Sequence, residues 1–354
     1  MKKYKAEEDI SSLINAKFPL EILELIFANL SPVDLKSAVA VCRRWREAGE
    51  RPQLWSWVAI RATNSNRTQM PKILECNRLR RVEEITIHTL TVTQKLVKAI
   101  VKHSRLKILL VGPKVRINHE NLVSLAANVE EIDLSETNFP RPDAIFRTME
   151  GGLSLKRLLI SRNDLSSVEA KCLGKAAFQL QELNLFDTCL TGQQMDSLLT
   201  AICKGSTLVK LNIGRNSLSE VEPELLSKAV ARLEEVNLRR CSISARQADH
   251  LMRAISSKAS QTRRLNIAEN FLTSINPTLL AVALNSLEEV VLYFTFLNKE
   301  QARAVLNRSL VETQLKRLKF GPVGEVGVEL VEKARKVIPV VHFLKLGSWA
   351  RKAQ

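Results

Sequence analysis

The sequence predicts an α/β solenoid, a stack of one short strand and one helix per turn, and three observations carry that reading. Segments of the form L-x-x-L-x-L-x-x-[N/T/C]-x-L begin at Val129, Leu155, Leu180, Leu208, Leu233, Thr262, Leu287 and Leu315, spaced by 26, 25, 28, 25, 29, 25 and 28 residues. Self-similarity at such a period means units that cannot bury their apolar faces singly and must stack. The ninth position alternates through Thr137, Asn163, Thr188, Asn216, Cys241, Asn270 and Thr295, so the true unit is a pair of 53 to 54 residues. Apolar spacing also switches inside each unit. In LQELNLFDTCL, Leu183 and Leu185 alternate with polar neighbours as in a strand. In the TGQQMDSLLTAICKG that follows, Met195, Leu198, Leu199 and Ile202 keep helical spacing.

These segments resemble the leucine-rich-repeat family over residues 129–323, and their alternating lengths its ribonuclease-inhibitor-like subclass. The resemblance implies a horseshoe with a parallel sheet on the concave face and helices outside. Weaker repeats begin at Val82 (VEEITI) and Leu106 (LKILLV), and a closing strand is expected near Ile338–Leu344. That assigns residues 61–354 to a domain of about eleven repeats, with atypical turns at its ends. The third position of successive repeats reads Glu131, Arg157, Glu182, Lys210, Glu235, Arg264, Glu289, Arg317. On adjacent parallel strands about 4.8 Å apart these residues would form a ladder of opposite charges. A strand shifted by one repeat would set like charges together.

The first sixty residues lack the repeat. Residues 1–17 are expected to be a flexible tail; MKKYKAEEDI has no apolar run of the kind that opens a signal peptide. Pro19 suits a first helical turn, and Leu20, Leu23, Phe27 and Leu30 follow one face, with Ile22 and Ile26 beside it. Ser31-Pro32 reads as an N-cap with proline at N1, opening a helix to about Ala48 that Gly49 would stop. So small a module carries more large apolar groups than it can bury, and no disulfide or metal to staple it.

Residues 18–60 closely resemble an F-box. Phe18-Pro19 matches the family's opening Leu-Pro pair, with phenylalanine in place of leucine. Leu23, Ile26 and Leu30 match the first helix, Ser31-Pro32-Val33-Asp34-Leu35 the turn into the second, Val41-Cys42-Arg43-Arg44-Trp45 the most recognisable run, and Leu54-Trp55 the close. The resemblance implies a module that binds the Skp-type adaptor of a cullin–RING ubiquitin ligase, with Phe18, Pro19, Ile22, Leu23, Ile26, Pro32, Leu35, Val41, Cys42, Trp45, Leu54 and Trp55 as adaptor-binding residues. It further implies a substrate receptor of an SCF-type ligase, whose repeats hold the protein to be ubiquitinated. The alternative is a non-ligase interaction scaffold whose N-terminal helices only cap the solenoid.

Composition narrows the remaining classes. The 354 residues are 45% hydrophobic and 25% charged, with no apolar run long enough to span a membrane. The six cysteines show no C-x-x-C pair and the five histidines no metal spacing, so reduced thiols, no metal and no cofactor are expected, in the cytoplasm, the nucleus or both. Of the net charge of +16 the first sixty residues supply almost none, with nine Lys or Arg against eight Asp or Glu. The basic excess therefore lies on the repeats. It is spread without a dense cluster, and aromatics are 5% of the chain, which argues against nucleic acid. No G-x-S-x-G, P-loop or G-x-G-x-x-G marks an enzyme, so no catalytic residue is assigned. At the seventh and eighth repeat positions Arg162, Phe186, Arg215, Arg239, Tyr293 and Phe294 stand out as residue types enriched at interface hot spots. They are the candidate substrate site, read as a basic, aromatic-flanked patch for an acidic or phosphorylated protein segment.

Overall fold

The computed structural model describes residues 19–55, 60–66, 68–76, 79, 82–89, 91–102, 106–113, 115–137, 142–148, 154–321 and 328–343. The expected tail 1–17, Phe18 and the basic C-terminal residues Lys345, Arg351 and Lys352 lie outside them. The chain divides into two compact units, Met1–Ile117 and Asn118–Gln354.

The first unit opens with helices Leu20–Phe27, Pro32–Ala38 and Arg43–Gly49 and a 3-10 turn, Pro52–Trp55. The single helix expected from Pro32 to Ala48 is thus two. It breaks because Cys42 takes an extended conformation (φ −155°, ψ 170°) and its Sγ accepts the Trp45 N–H as an N-cap. Gly49 does not stop the helix by a left-handed turn. It is the last helical residue and is buried, and a Cβ there would collide with Val39 Cγ1. Three parallel strands follow in order: β1 (Ile60–Ala62), β2 (Glu84–Ile87) and β3 (Ile108–Val111). The two weak repeats begin two residues before β2 and β3. The strand β1, only three residues long, has no repeat signature and was not foreseen.

The second unit contains β4 (Glu131–Asp133), β5 (Arg157–Leu159), β6 (Glu182–Asn184), β7 (Lys210–Asn212), β8 (Glu235–Asn237), β9 (Arg264–Asn266), β10 (Glu289–Tyr293), β11 (Arg317–Gly321) and β12 (Val340–Phe343). Each pairs in parallel with the next. Helices between strands pack on one another, giving the leucine-rich-repeat solenoid expected from the sequence. The middle residue of each short strand, such as Leu183, Leu211 and Val236, is buried, while its neighbours face the open side of the sheet. The closing strand is β12, whose Phe343 meets Phe320 edge-on at 5.0 Å.

Buried amides tie the repeats together. Asn216 Nδ2 donates to the carbonyl of Leu185 in the preceding repeat (2.7 Å), and its Oδ1 accepts the Leu190 N–H (3.1 Å). Asn163 and Asn270 donate to Leu134 and Leu238 in the same way. The next junction in each case uses glutamine. Gln194, Gln247 and Gln301 reach back to at least two carbonyls of the preceding repeat, for Gln247 those of Leu218 (2.6 Å) and Val221 (2.7 Å). Each glutamine also closes a capping box at its own helix start, with Thr191, Ser244 and Asn298. Asparagine and glutamine junctions therefore alternate, which is the physical content of the two-repeat period.

Candidate functional site

Among the described residues, the N-terminal module builds a small core and leaves one face uncovered. Leu23, Phe27, Leu35, Ala48, Leu54 and Trp55 are buried. Phe27 and Trp45 meet edge-on at 5.3 Å, and Trp55 Nε1 donates to the Gly49 carbonyl at 2.7 Å. Arg51 pairs with Glu24. Leu23 and Phe27, four apart, take the inner face of the first helix. Ile22, Leu25 and Ile26 take the outer face, at the i, i+3, i+4 spacing that makes helical neighbours. Leu25 is 65% exposed and Val41 60%. A helix apolar on both faces is one built to be covered on both.

The adaptor-binding residues expected from sequence therefore separate. Pro19, Ile22, Ile26 and Val41 are exposed, Cys42 and Trp45 are half-buried, and Leu23, Leu35, Leu54 and Trp55 form the core that holds the face in shape. Pro32 opens its helix at N1, behind the Ser31 cap that accepts the Asp34 N–H. Leu25 was missed, though its spacing from Ile22 was there to be read.

The repeat residues are placed by a turn that recurs after each strand. Its eighth position takes a left-handed conformation in seven repeats, at Glu136, Arg162, Asp187, Arg215, Arg240, Glu269 and Phe294 (φ 54° to 60°). No glycine occupies it. The three candidate arginines do not form a free basic patch, because each holds a carboxylate on a neighbouring turn. Arg162 pairs with Glu136, Arg215 with Asp187 (2.9 Å) and Arg239 with Glu269. Arg215 also lies over the Phe186 ring, 5.9 Å from its centroid, a cation–π distance. Phe186 covers Gly214, where a Cβ would sit 2.8 Å from its ring. Tyr293 and Phe294 are half-buried, and burial pushes the Tyr293 hydroxyl pKa up.

The charge ladder pairs off two by two. Strand register aligns Glu131, Arg157, Glu182, Lys210, Glu235, Arg264, Glu289 and Arg317. Arg157 holds Glu131, Lys210 lies 3.8 Å from Glu182, Arg264 2.9 Å from Glu235 and Arg317 2.7 Å from Glu289. Among the described residues no group of three or more His, Cys, Asp or Glu could hold a metal, and no helix is long and apolar enough to cross a membrane.

Comparison with known proteins bears on the N-terminal module and on the fold. Residues 16–61 match the family model described as F-box-like. A search of curated proteins finds no match. Among solved structures, a chain of the yeast Rad7–Elc1 complex aligns with a TM-score of 0.59 and 13% identity, covering 95% of this chain and 96% of that one. At that identity the likeness is one of fold. A chain of the TLR13–ssRNA13 complex aligns with 17% identity over 75% of this chain and a TM-score of 0.47, and the present chain covers 36% of its length. The class is thus defined: an F-box-like domain followed in sequence by a leucine-rich-repeat solenoid.

Proposed function

We propose that this chain is the substrate-recognition subunit of an SCF-type (Skp–cullin–F-box) ubiquitin ligase, acting in the cytoplasm or nucleus. Its N-terminal module binds a Skp-type adaptor and, through it, a cullin–RING ligase; its repeats hold the substrate protein. The observation that carries the reading is the exposed apolar face Ile22, Leu25, Ile26 on a module that matches the F-box-like family. An end cap on a solenoid presents a polar outer face, which this helix lacks. The Rad7–Elc1 crystal structure, in which a chain of this fold is complexed with a second protein, is consistent with such use. In this reading the chain performs no chemistry. It raises the effective concentration of substrate near the charged conjugating enzyme. The arginines that suggested an acidic or phosphorylated substrate are already paired with carboxylates, so they do not by themselves select one.

The test is co-purification of the full chain with a Skp-type adaptor, against a Leu25→Glu, Ile26→Glu double variant. Adaptor recovery should fall at least tenfold. The thermal midpoint should stay within about 2 °C, because substitutions at exposed positions change stability little. Undiminished adaptor co-elution of the variant sinks the reading and leaves the scaffold alternative.

A further inference from the structure

The open face of the second unit carries a feature that neither the charge ladder nor the buried junctions use. Four successive strands, β6 to β9, end in asparagine: Asn184, Asn212, Asn237 and Asn266. They are direct register partners, so they form one row across the sheet. All four are half-buried and on the open side. Each makes the same hydrogen bond. Its Oδ1 accepts the backbone N–H two residues on, from Phe186 (3.1 Å), Gly214 (3.2 Å), Arg239 (3.0 Å) and Ala268 (3.2 Å). That bond fixes which end of each amide is oxygen, since only the oxygen can accept. The four NH2 groups must then point away from the backbone, and none has a partner among the described residues.

The row has ends. Its neighbours in register are Leu159 on β5 and Val291 on β10, both half-buried. A donor-rich centre is thus bounded by apolar residues. The charges beside it mostly cancel in pairs: Lys210 with Glu182, Arg264 with Glu235, Arg215 with Asp187, Arg239 with Glu269. That leaves the exposed Arg240 as a single unpaired cation among the described residues of these four repeats' strands and turns. The row offers hydrogen-bond donors without a strong field. From Leu159 to Val291 is five strand steps, about 24 Å, which an extended chain covers in about seven residues.

We propose that this asparagine row is a recognition comb for an extended segment of a substrate protein. The segment carries acceptor side chains (Asp, Glu, Asn or Gln) at its centre and apolar residues at its ends. The inference deepens the receptor reading and rests on it for the segment's origin. A single unpaired cation beside the row favours a peptide over a nucleic-acid strand, whose affinity comes from neutralising many phosphates.

The chain itself supplies the control for a test. At the same register on β4, Asp133 accepts the Ser135 N–H at 2.9 Å, so aspartate is accommodated there. An Asn212→Asp, Asn237→Asp variant keeps both backbone bonds, removes four N–H donors and places carboxylates against the ligand's acceptors. The full chain with its adaptor is passed over immobilised octapeptides. One set has acceptor-bearing centres and Leu or Val ends, and the other has lysine centres. The native chain should retain the first set, with retention nearly flat between 50 and 300 mM salt, and the variant should lose it at least tenfold with unchanged thermal midpoint and adaptor recovery. Equal retention of both sets, or retention of the first set by the variant, overturns the comb. Retention of a random single-stranded oligonucleotide in place of peptides, lost in the variant, also overturns it. Adaptor recovery, measured on the same preparations, reports separately on the receptor reading.

Discussion

The N-terminal module and the repeats depart from the ordinary inside–outside rule in different ways. In the module, large apolar side chains stand in solvent: Ile22, Leu25, Ile26 and Val41. In the repeats, amide side chains lie in the core: Asn163, Gln194, Asn216, Gln247, Asn270 and Gln301. The two departures mean different things. A buried amide whose every lone pair and N–H is used is an internal joint, and removing it leaves backbone groups stranded. An exposed apolar face is covered by none of the described residues and, in the receptor reading, is where another molecule fits.

The sharpest way to break this comparison is to remove a joint. Asn216 takes part in six hydrogen bonds, three donated to the carbonyls of Leu185, Ile213 and Gly214, and three accepted from Thr188 (twice) and Leu190. Asn216→Leu has similar bulk but leaves several buried backbone groups unpaired, and should cost about 3–5 kcal/mol in urea unfolding. The exposed-face variant Leu25→Glu, Ile26→Glu should cost about 0.5 kcal/mol or less on the same scale. Comparable losses from the two would mean that the apolar face belongs to the fold.

A smaller effect is expected from the charge ladder. Glu235→Lys removes a partner of Arg264 and lies in register between Lys210 and Arg264. Arg264 keeps Glu234 at 2.9 Å, which limits the damage. The loss should be about 1 kcal/mol in low salt and shrink as salt rises, because such pairs are exposed and screened. A loss insensitive to salt would assign Glu235 another role.

The smallest effect sharpens the view of the buried row itself. Cys241 stands where Thr137, Thr188 and Thr295 stand in other repeats, and its Sγ meets the Ile213 carbonyl at 3.4 Å. Cys241→Thr should change stability by less than about 1 kcal/mol at pH 7. It should, however, alter the alkaline side. Burial pushes the Cys241 thiol from 9.0 up to about 12. Between those values the folded chain keeps a proton that the unfolded chain has lost, so stability falls as pH rises through the window. In the threonine variant this part of the fall should disappear. Identical alkaline unfolding profiles would show that Cys241 is not the group responsible.

Much of this was legible in the sequence, and the failures have physical causes. The position of every strand from β4 to β11 follows from a repeat motif, because each short strand must place one leucine, isoleucine or valine in a shared core. The asparagine period of 53 to 54 residues announced the paired unit. Gln194, Gln247 and Gln301 recur at the same period, yet glutamine at the third position of a helix reads as an exposed cap. Only the stacked neighbour reveals that its far end is buried. The helix break at Cys42 gave no warning, because neither glycine nor proline marks it and the cap is a thiol. The arginine partners were hidden too. Arg162 and Glu136 are 26 residues apart and Arg239 and Glu269 are 30 apart, separations that become contacts only when turns stack.

The alternation of the two junction types sets a rule for how a molecule of this kind can change length. An asparagine joint needs a threonine- or cysteine-type turn before it, and a glutamine joint needs an asparagine-type turn before it. Excising one repeat would splice a repeat onto a neighbour of its own kind, so that its asparagine or glutamine would face a turn that offers the carbonyls of the other joint. Excising two restores the match. Growth or shortening by duplication is therefore confined to even steps, much as a zipper with two alternating kinds of tooth can be cut only between full pairs.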